Sequence, residues 1–268
     1  MTEQQTAGIV PVLTGIAGQR ILITAGASGI GRAIADLCIA QGARVHICDV
    51  SDDFLADFRN THPSASVSVA DVSSEADVDR LFAALKQSLG GLDVLINNAG
   101  IAGPTGNVED LSPADWRRCI EVCLVGQFLC TRLAVPLLKA AGGGAIINMS
   151  SAAGRHGYAF RTPYSAAKFG VIGFSQSLAK ELGPSNIRVN AILPGIVEGP
   201  RIEGVIRDRA KQLGLPYPEM EKEYLAKVSL RRMVSPHDVA KMILFLLSDA
   251  GRNISGQSIG VDGNVETL

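Results

Sequence analysis

Tyr164 and Lys168, the ends of Tyr164-Ser165-Ala166-Ala167-Lys168, are a pair able to move a proton. On a helix, a spacing of four puts phenol and ammonium on one face, about one turn apart. A phenol with an unperturbed pKa of about 10 is a poor base at neutral pH. A neighbouring ammonium favours the phenolate and draws that pKa toward the working range. Ser151 stands thirteen residues before Tyr164, at the end of Ile146-Ile147-Asn148-Met149-Ser150-Ser151, where its hydroxyl can hydrogen-bond a reacting oxygen. A serine hydrolase does not fit: Ser151 is in no GxSxG elbow, and the four histidines supply no obvious base.

A second constellation lies upstream. The apolar run Arg20–Thr24 leads into Thr24-Ala25-Gly26-Ala27-Ser28-Gly29-Ile30-Gly31, and a helical pattern follows. Glycines in such a turn let the backbone approach a pyrophosphate, and the helix N-terminus offers free N–H groups and a favourable dipole. Asp49 ends the next apolar run, eighteen residues beyond Gly31. A carboxylate there can accept hydrogen bonds from ribose hydroxyls and repels a 2′-phosphate, which selects NAD over NADP.

These groups need a scaffold. Strands are expected at Arg20–Thr24, Arg44–Asp49, 66–70, Val94–Asn97, 145–149, 188–193 and Ser258–Val261. Helices are expected at 30–41, 51–60, Glu75–Leu89, 113–140, Thr162–Leu182 and Pro236–Leu247. Ser112-Pro113 and Ser235-Pro236 each read as an N-cap followed by proline at the first helical position. This alternation implies one doubly wound, parallel α/β sheet covered by helices on both faces, with ligands beyond the carboxyl ends of the strands. Residues 1–18 read as a loose leader and 19–268 as a single catalytic domain. Within it, about 198–232 is charged, helical and free of strands, with Pro200, Pro216 and Pro218, and reads as a lid over the site.

With 268 residues, 47% of them hydrophobic and 19% charged, the chain suits a globular protein with buried strands. A net charge of −1 gives no reason to expect a nucleic-acid or anionic-membrane partner. The start carries no secretion signal, and no run approaches the roughly 18 apolar residues of a membrane span. Cys38, Cys48, Cys119, Cys123 and Cys130 form no CxxC pair or zinc spacing. They read as free thiols in a reducing compartment, so a cytoplasmic protein with no metal is expected.

Taken together, the sequence resembles the short-chain dehydrogenase/reductase family from about Arg20 to the end. The matching pieces are the TAGASGIG turn, Asp49, Asp71-Val72, Asn97-Asn98-Ala99-Gly100, Ser151, YSAAK, Asn190, Pro194-Gly195 and the terminal SGQSIGVDG. The resemblance implies a seven-stranded Rossmann-type fold and a homotetramer. It also implies that Ser151, Tyr164 and Lys168 are catalytic. Gly26, Ser28, Gly29, Ile30 and Gly31 would lie against the cofactor phosphates and ribose, Asp49 would hold the adenosine ribose, and Asp71 and Val72 the adenine. Asn98, Ala99 and Gly100 would line the nicotinamide ribose with Tyr164 and Lys168, while Pro194 and the backbone near Val197 would meet the carboxamide.

Three positions depart from the family pattern. Ala25 stands where the first turn glycine is usual, and Gly199 where a threonine often follows the proline. Cys123 aligns with the asparagine that completes a catalytic tetrad, and a thiol is a weak substitute in hydrogen bonding. The expected function is NAD-linked interconversion of a secondary alcohol and a ketone on a sugar, polyol or hydroxy acid. Two alternatives stay open: an NADPH-linked 3-oxoacyl-type reductase, and a cofactor-binding sensor or scaffold without catalysis. Arg155, Arg161 and Arg201 lie near the expected pocket and could recognise an anionic group, or form surface or interface ion pairs.

Overall fold

The computed structural model describes residues 13–267. Seven strands form one parallel sheet: β1 (Arg20–Thr24), β2 (Arg44–Asp49), β3 (Ser66–Val69), β4 (Val94–Asn97), β5 (Gly144–Met149), β6 (Ile187–Pro194) and β7 (Ser258–Val261). Their spatial order is β3-β2-β1-β4-β5-β6-β7, so the sheet reverses direction between β1 and β4. Ile21 pairs with Val94 there and Ile23 with Ile96. A ligand crevice forms where the chain leaves these two strands in opposite directions.

Alternation along β1 shows how the layers are built. Ile21 and Ile23 point into one cluster with Ile34, Val239 and Ile243, while Leu22 points into the other with Leu81, Leu85 and Leu129. The first layer holds α1 (Gly29–Ala40), α2 (Asp52–Thr61) and α9 (Pro236–Leu247); the second holds α3 (Glu75–Leu89), α5 (Gly126–Ala140) and α6 (Thr162–Leu182). Ile21, Leu22 and Ile23 are all fully buried, as a strand covered on both faces requires. Ser235 caps α9 by accepting from Asp238 N, and Asp238 accepts from Ser235 N in return, completing a capping box.

The expected helix 113–140 is resolved into three pieces. An α-helix, α4 (Pro113–Ile120), passes into a π turn at Glu121–Val125 and then into α5. By length and composition Pro113–Ala140 is apolar enough to cross a membrane, contrary to the sequence expectation. It nevertheless packs against α3 and α6 and on β4 and β5, and it buries Gln127 and Thr131 beside Asn97.

The leader expected to stay loose to about Gly18 is tied down from Thr14 onward, and the rest of it lies outside the described residues. Ile16 is buried in the core, Thr14 Oγ1 donates to Asp249 at 2.7 Å, and Gly18 N donates to Gly42 O at 2.8 Å. The span expected as a lid contains α7 (Pro200–Leu213) and α8 (Tyr217–Ala226). Val205, Ile206, Met220 and Tyr224 pack with Ala152 and Ile196, at the carboxyl ends of β5 and β6.

Candidate active site

The Gly-rich turn connects β1 to α1. A Cβ at Gly26 would lie 2.6 Å from Ile47 Cγ2, and one at Gly31 would collide with Ala25 O and the Asn98 amide, so neither position admits a side chain. Gly29 has φ +53°, and Ser28 caps α1 without a side-chain hydrogen bond. The first N–H groups of α1 are therefore not satisfied by a capping side chain, and Ser28 and Gly29 are exposed beside them. Such a terminus fits a pyrophosphate. Ala25, the departure from glycine, takes up φ +49°, a left-handed conformation unfavourable for a residue with a Cβ. Asn98 Nδ2 clamps it, donating to Thr24 O and Ala25 O at 3.0 Å each, and Thr24 Oγ1 accepts from Asn98 N and Ala99 N at 2.9 Å each.

Asp49 reaches back to the same turn. Its Oδ2 accepts from Ala27 N at 3.3 Å, and its Oδ1 from Val50 N at 2.8 Å and Ser51 N at 3.2 Å. The carboxylate is thus fixed at the carboxyl end of β2, beside the open end of α1. Asp71 is held by Ser73 and by Arg118 Nη2 at 2.7 Å. Burial would raise its carboxyl, but hydrogen bonds from Ser73 and Arg118 outweigh it and keep the group below its ordinary range. Val72 is buried against Gly126, where a Cβ would lie 2.7 Å from Val72 Cγ2.

The proton-moving pair sits on α6, which crosses the end of β5. Lys168 is buried, and its Nζ donates to Met149 O at 2.8 Å and lies 5.6 Å from the Tyr164 ring centroid. Ser150 Oγ donates to Lys168 O at 2.7 Å, tying the helix to the strand end that carries Ser151. Ser151 caps a short 3-10 turn, Ala152–Gly154, by accepting from Ala153 N at 3.2 Å. Gly100 lies close to Lys168 Nζ, with a Cβ there 3.5 Å away. Val197 sits between Ile196 O and Glu198 N, which pair with Val234, and Gly195 packs against Asp262 beyond β6.

Cys123 lies in the π turn, a feature that often marks functional positions. Its Sγ is 3.4 Å from both Ile101 N and Ile101 O. A hydrogen bond from the Cys119 thiol, together with the charge of Lys168 and the Ile101 N–H, draws Cys123 below the usual thiol range against the effect of burial; Cys119 moves up correspondingly.

Sequence reasoning missed Gln127, one turn further along. Its Nε2 donates to Cys123 O at 3.2 Å and to Met149 O at 3.1 Å, the carbonyl that also accepts from Lys168. Its Oε1 is buried with no hydrogen-bond partner among the described residues. A glutamine on an otherwise apolar helix face was the only signal available.

The three arginines separate. Exposed Arg155 donates to Ser258 O at 3.0 Å, and exposed Arg201 crosses from α7 to Gly100 O at 2.7 Å. Arg161 is buried against the Tyr164 ring. At Gly199 the backbone has φ +132°, which favours glycine and accounts for the missing threonine at the start of α7. Among the described residues no group of His, Cys, Asp or Glu could hold a metal ion.

The family model described as enoyl-(acyl carrier protein) reductase matches residues 24–265. The chain is 38% identical to cis-4-hydroxycyclohexanecarboxylate dehydrogenase of Sinomonas cyclohexanicum, over 90% of this chain and 94% of that protein. It is 36% identical to the 3-oxoacyl-[acyl-carrier-protein] reductase FabG of Thermotoga maritima, over 92% and 98% of the two. A crystal structure of an actinorhodin polyketide ketoreductase variant with NADPH superposes at a TM-score of 0.88 with 31% identity, covering 94% of this chain and 98% of that one.

Proposed function

The chain belongs to the short-chain dehydrogenase/reductase family, and from that membership we propose that it interconverts a secondary alcohol and a ketone on a small polar substrate with NAD(H). The family supports an oxidoreductase acting on CH–OH groups. The choice of NAD rests on Asp49, whose carboxylate is fixed by three backbone N–H groups beside the open end of α1. Arg44 donates to Ser88 O, and Arg32 to Asp36 and Asp57, so both are committed elsewhere. A 2′-phosphate at Asp49 would meet a fixed negative charge.

In this reading the turn from Gly26 to Gly31 holds the pyrophosphate, Asp49 the adenosine ribose, Asp71 and Val72 the adenine, and Asn98, Ala99 and Gly100 the nicotinamide side. A nicotinamide bound there supplies or accepts the hydride. Tyr164 Oη takes the proton from the alcohol oxygen, or returns it to the ketone, and Ser151 Oγ donates a hydrogen bond to that oxygen. Lys168, anchored on Met149 O, lowers the cost of the phenolate. In this reading the proton leaves from Lys168 on the side of Met149 O and Gln127, one turn along from Cys123, the position that aligns with the tetrad asparagine. The five buried free thiols support a cytoplasmic setting. Exposed Trp116, Phe128 and Phe169 on α4, α5 and α6 support a homo-oligomer, with a tetramer as the family's usual form.

A second reading, an NADPH-linked 3-oxoacyl reductase, draws on the likeness to FabG and to the NADPH-bound ketoreductase. Fluorescence titration of Trp116 with NADH and NADPH separates the two. NADH is expected to bind at least tenfold tighter, with Asp49→Ser narrowing the gap; tighter NADPH binding by the native chain overturns the proposal.

A further inference from the structure

We propose that Arg161 is the anion anchor of the substrate pocket and that the substrate is a short hydroxy acid, or the matching keto acid. Its carboxylate would be held by the guanidinium while its carbinol oxygen meets Tyr164 and Ser151. This deepens the oxidoreductase reading above and rests on it.

Arg161 is 6% exposed and stands three residues before Tyr164, at the entry to α6. Its guanidinium lies between two phenol rings, 4.4 Å from the Tyr164 centroid and 4.9 Å from that of Tyr158. Of its five N–H donors, an Nη2–H donates to Ala102 O, while Nε–H is buried with no partner among the described residues. No carboxylate among the described residues lies within ion-pair distance of it. A buried guanidinium without a counter-charge is unfavourable, and the two ring faces offset only part of that cost. The chemistry that completes such a group is a planar anion accepting two parallel N–H bonds.

The chain leading to Arg161 is built to aim it. Phe160 has φ +66°, an outlier for a bulky residue, and is held there from two sides. Its carbonyl accepts from Gly106 N at 2.9 Å, and Arg209 of α7 lies 4.3 Å above its ring. Strain held by its surroundings immediately before a buried, underused cation fixes the direction of that cation. The lid adds dryness. Tyr158 Oη donates to Tyr224 Oη of α8 at 2.8 Å, and Ile206 of α7 is fully buried in the same cluster. Excluding water strengthens a guanidinium–carboxylate pair. Arg155 and Arg201 are exposed, so the position of Arg161 is distinct among the three.

The test compares matched acids and neutral esters: 3-hydroxybutyrate and 4-hydroxycyclohexanecarboxylate against their methyl esters, oxidised with NAD by the native chain, Arg161→Lys and Arg161→Gln. The native enzyme is expected to favour an acid over its ester by at least about 100-fold in kcat/KM. Arg161→Gln should lose that preference, with the KM for the acid rising far more than that for the ester, and Arg161→Lys should fall between. A thermal-shift measurement with oxidised NAD, which cannot reduce a ketone, gives a readout apart from turnover: acetoacetate should stabilise the native complex and leave Arg161→Gln unmoved, and methyl acetoacetate should act equally on both. An equal fall for acid and ester in Arg161→Gln would show a packing role and overturn the anchor. Turnover of neutral polyols without acids also overturns it and leaves the oxidoreductase reading standing. No turnover of any alcohol or ketone would sink both.

Discussion

Arg20 and Arg161 stand at opposite ends of the sheet and are treated in opposite ways. At the amino end, Arg20 Nε and Nη2 meet the two oxygens of Asp93 at 2.8 and 2.7 Å, and Arg20 N donates to the same carboxylate at 2.8 Å. Gly91 leaves the room, since a Cβ there would collide with the guanidinium. At the carboxyl end, Arg161 keeps a buried N–H without an acceptor among the described residues, and Ala25 and Phe160 hold left-handed backbone that costs energy. At Arg20 the amino end closes a charge on its counter-charge and contributes stability, although Gln19 Oε1 beside it and Ser258 Oγ at the start of β7 are buried with no partner among the described residues. The carboxyl end leaves donors, acceptors and strain open, which is where a ligand can act. Substitutions of the functional polar side chains at the carboxyl end should move rates more than melting, and that of the Arg20–Asp93 pair at the amino end should do the reverse.

The largest effect is expected at Tyr164. Tyr164→Phe removes the proton carrier and should lower kcat about 10³-fold, within the range of general acid–base catalysis. The residue is partly exposed and its hydroxyl makes no hydrogen bond among the described residues, so the melting temperature should stay within a degree or two. A variant that turns over at the native rate would remove Tyr164 from the chemistry.

Gln127→Leu should come next, at roughly tenfold in kcat, the scale of one neutral hydrogen bond. Slowing the proton's exit should also raise the solvent isotope effect on kcat, which packing loss alone would not do. An unchanged isotope effect alongside a lower melting temperature would make Gln127 purely structural.

The scaffold was largely legible because its signals are local. Burial on both faces leaves strands as continuous apolar runs, and seven of the nine α-helices among the described residues begin at a capping serine with a side-chain bond or at a proline in the first turn. The turn, Asp49 and the Tyr164–Lys168 pair are likewise short-range patterns. Other features depended on tertiary contact. A π turn at Glu121–Val125 leaves the apolar pattern of a helix intact and is silent in the sequence. Thr14 and Ile16 look like leader residues until Asp249 and the core receive them. Arg155, Arg161 and Arg201 are equivalent as letters; only packing buries one and exposes the others.

Asp93→Asn sharpens the comparison from the amino end. The side chains of the pair are 25% and 30% exposed, so screening reduces its contribution to about 1 kcal/mol of stability. The hydrogen bond from Arg20 is the largest cause holding the Asp93 carboxyl below its ordinary range, with burial opposing it. A depressed folded-state pKa adds stability above the unfolded value of about 3.9, and that stability is lost as pH falls through the folded value. The native chain should therefore lose this increment in acid, and the asparagine variant should show a smaller acid loss at this site. Its kcat should equal the native value; a fall in kcat would mean that the two ends are coupled.

Ala25→Gly is the smallest and most discriminating case, because it relaxes strain within the carboxyl end itself. Left-handed backbone costs an L-residue about 1–2 kcal/mol, which glycine escapes. Glycine gives back about 0.5–1 kcal/mol through the greater entropy of its unfolded chain. The net expectation is a gain of about 0.5 kcal/mol, read as a small rise in denaturation midpoint at constant slope. NADH affinity should hold, because Asn98 grips the carbonyl oxygens of Thr24 and Ala25 and does not depend on the Ala25 methyl group. If stability rises and NADH binding weakens, the strained alanine is holding the turn in its binding shape, and strain at this end is part of the site. If stability falls, the methyl group contributes more by packing on the core beside Ala25 than its backbone conformation costs.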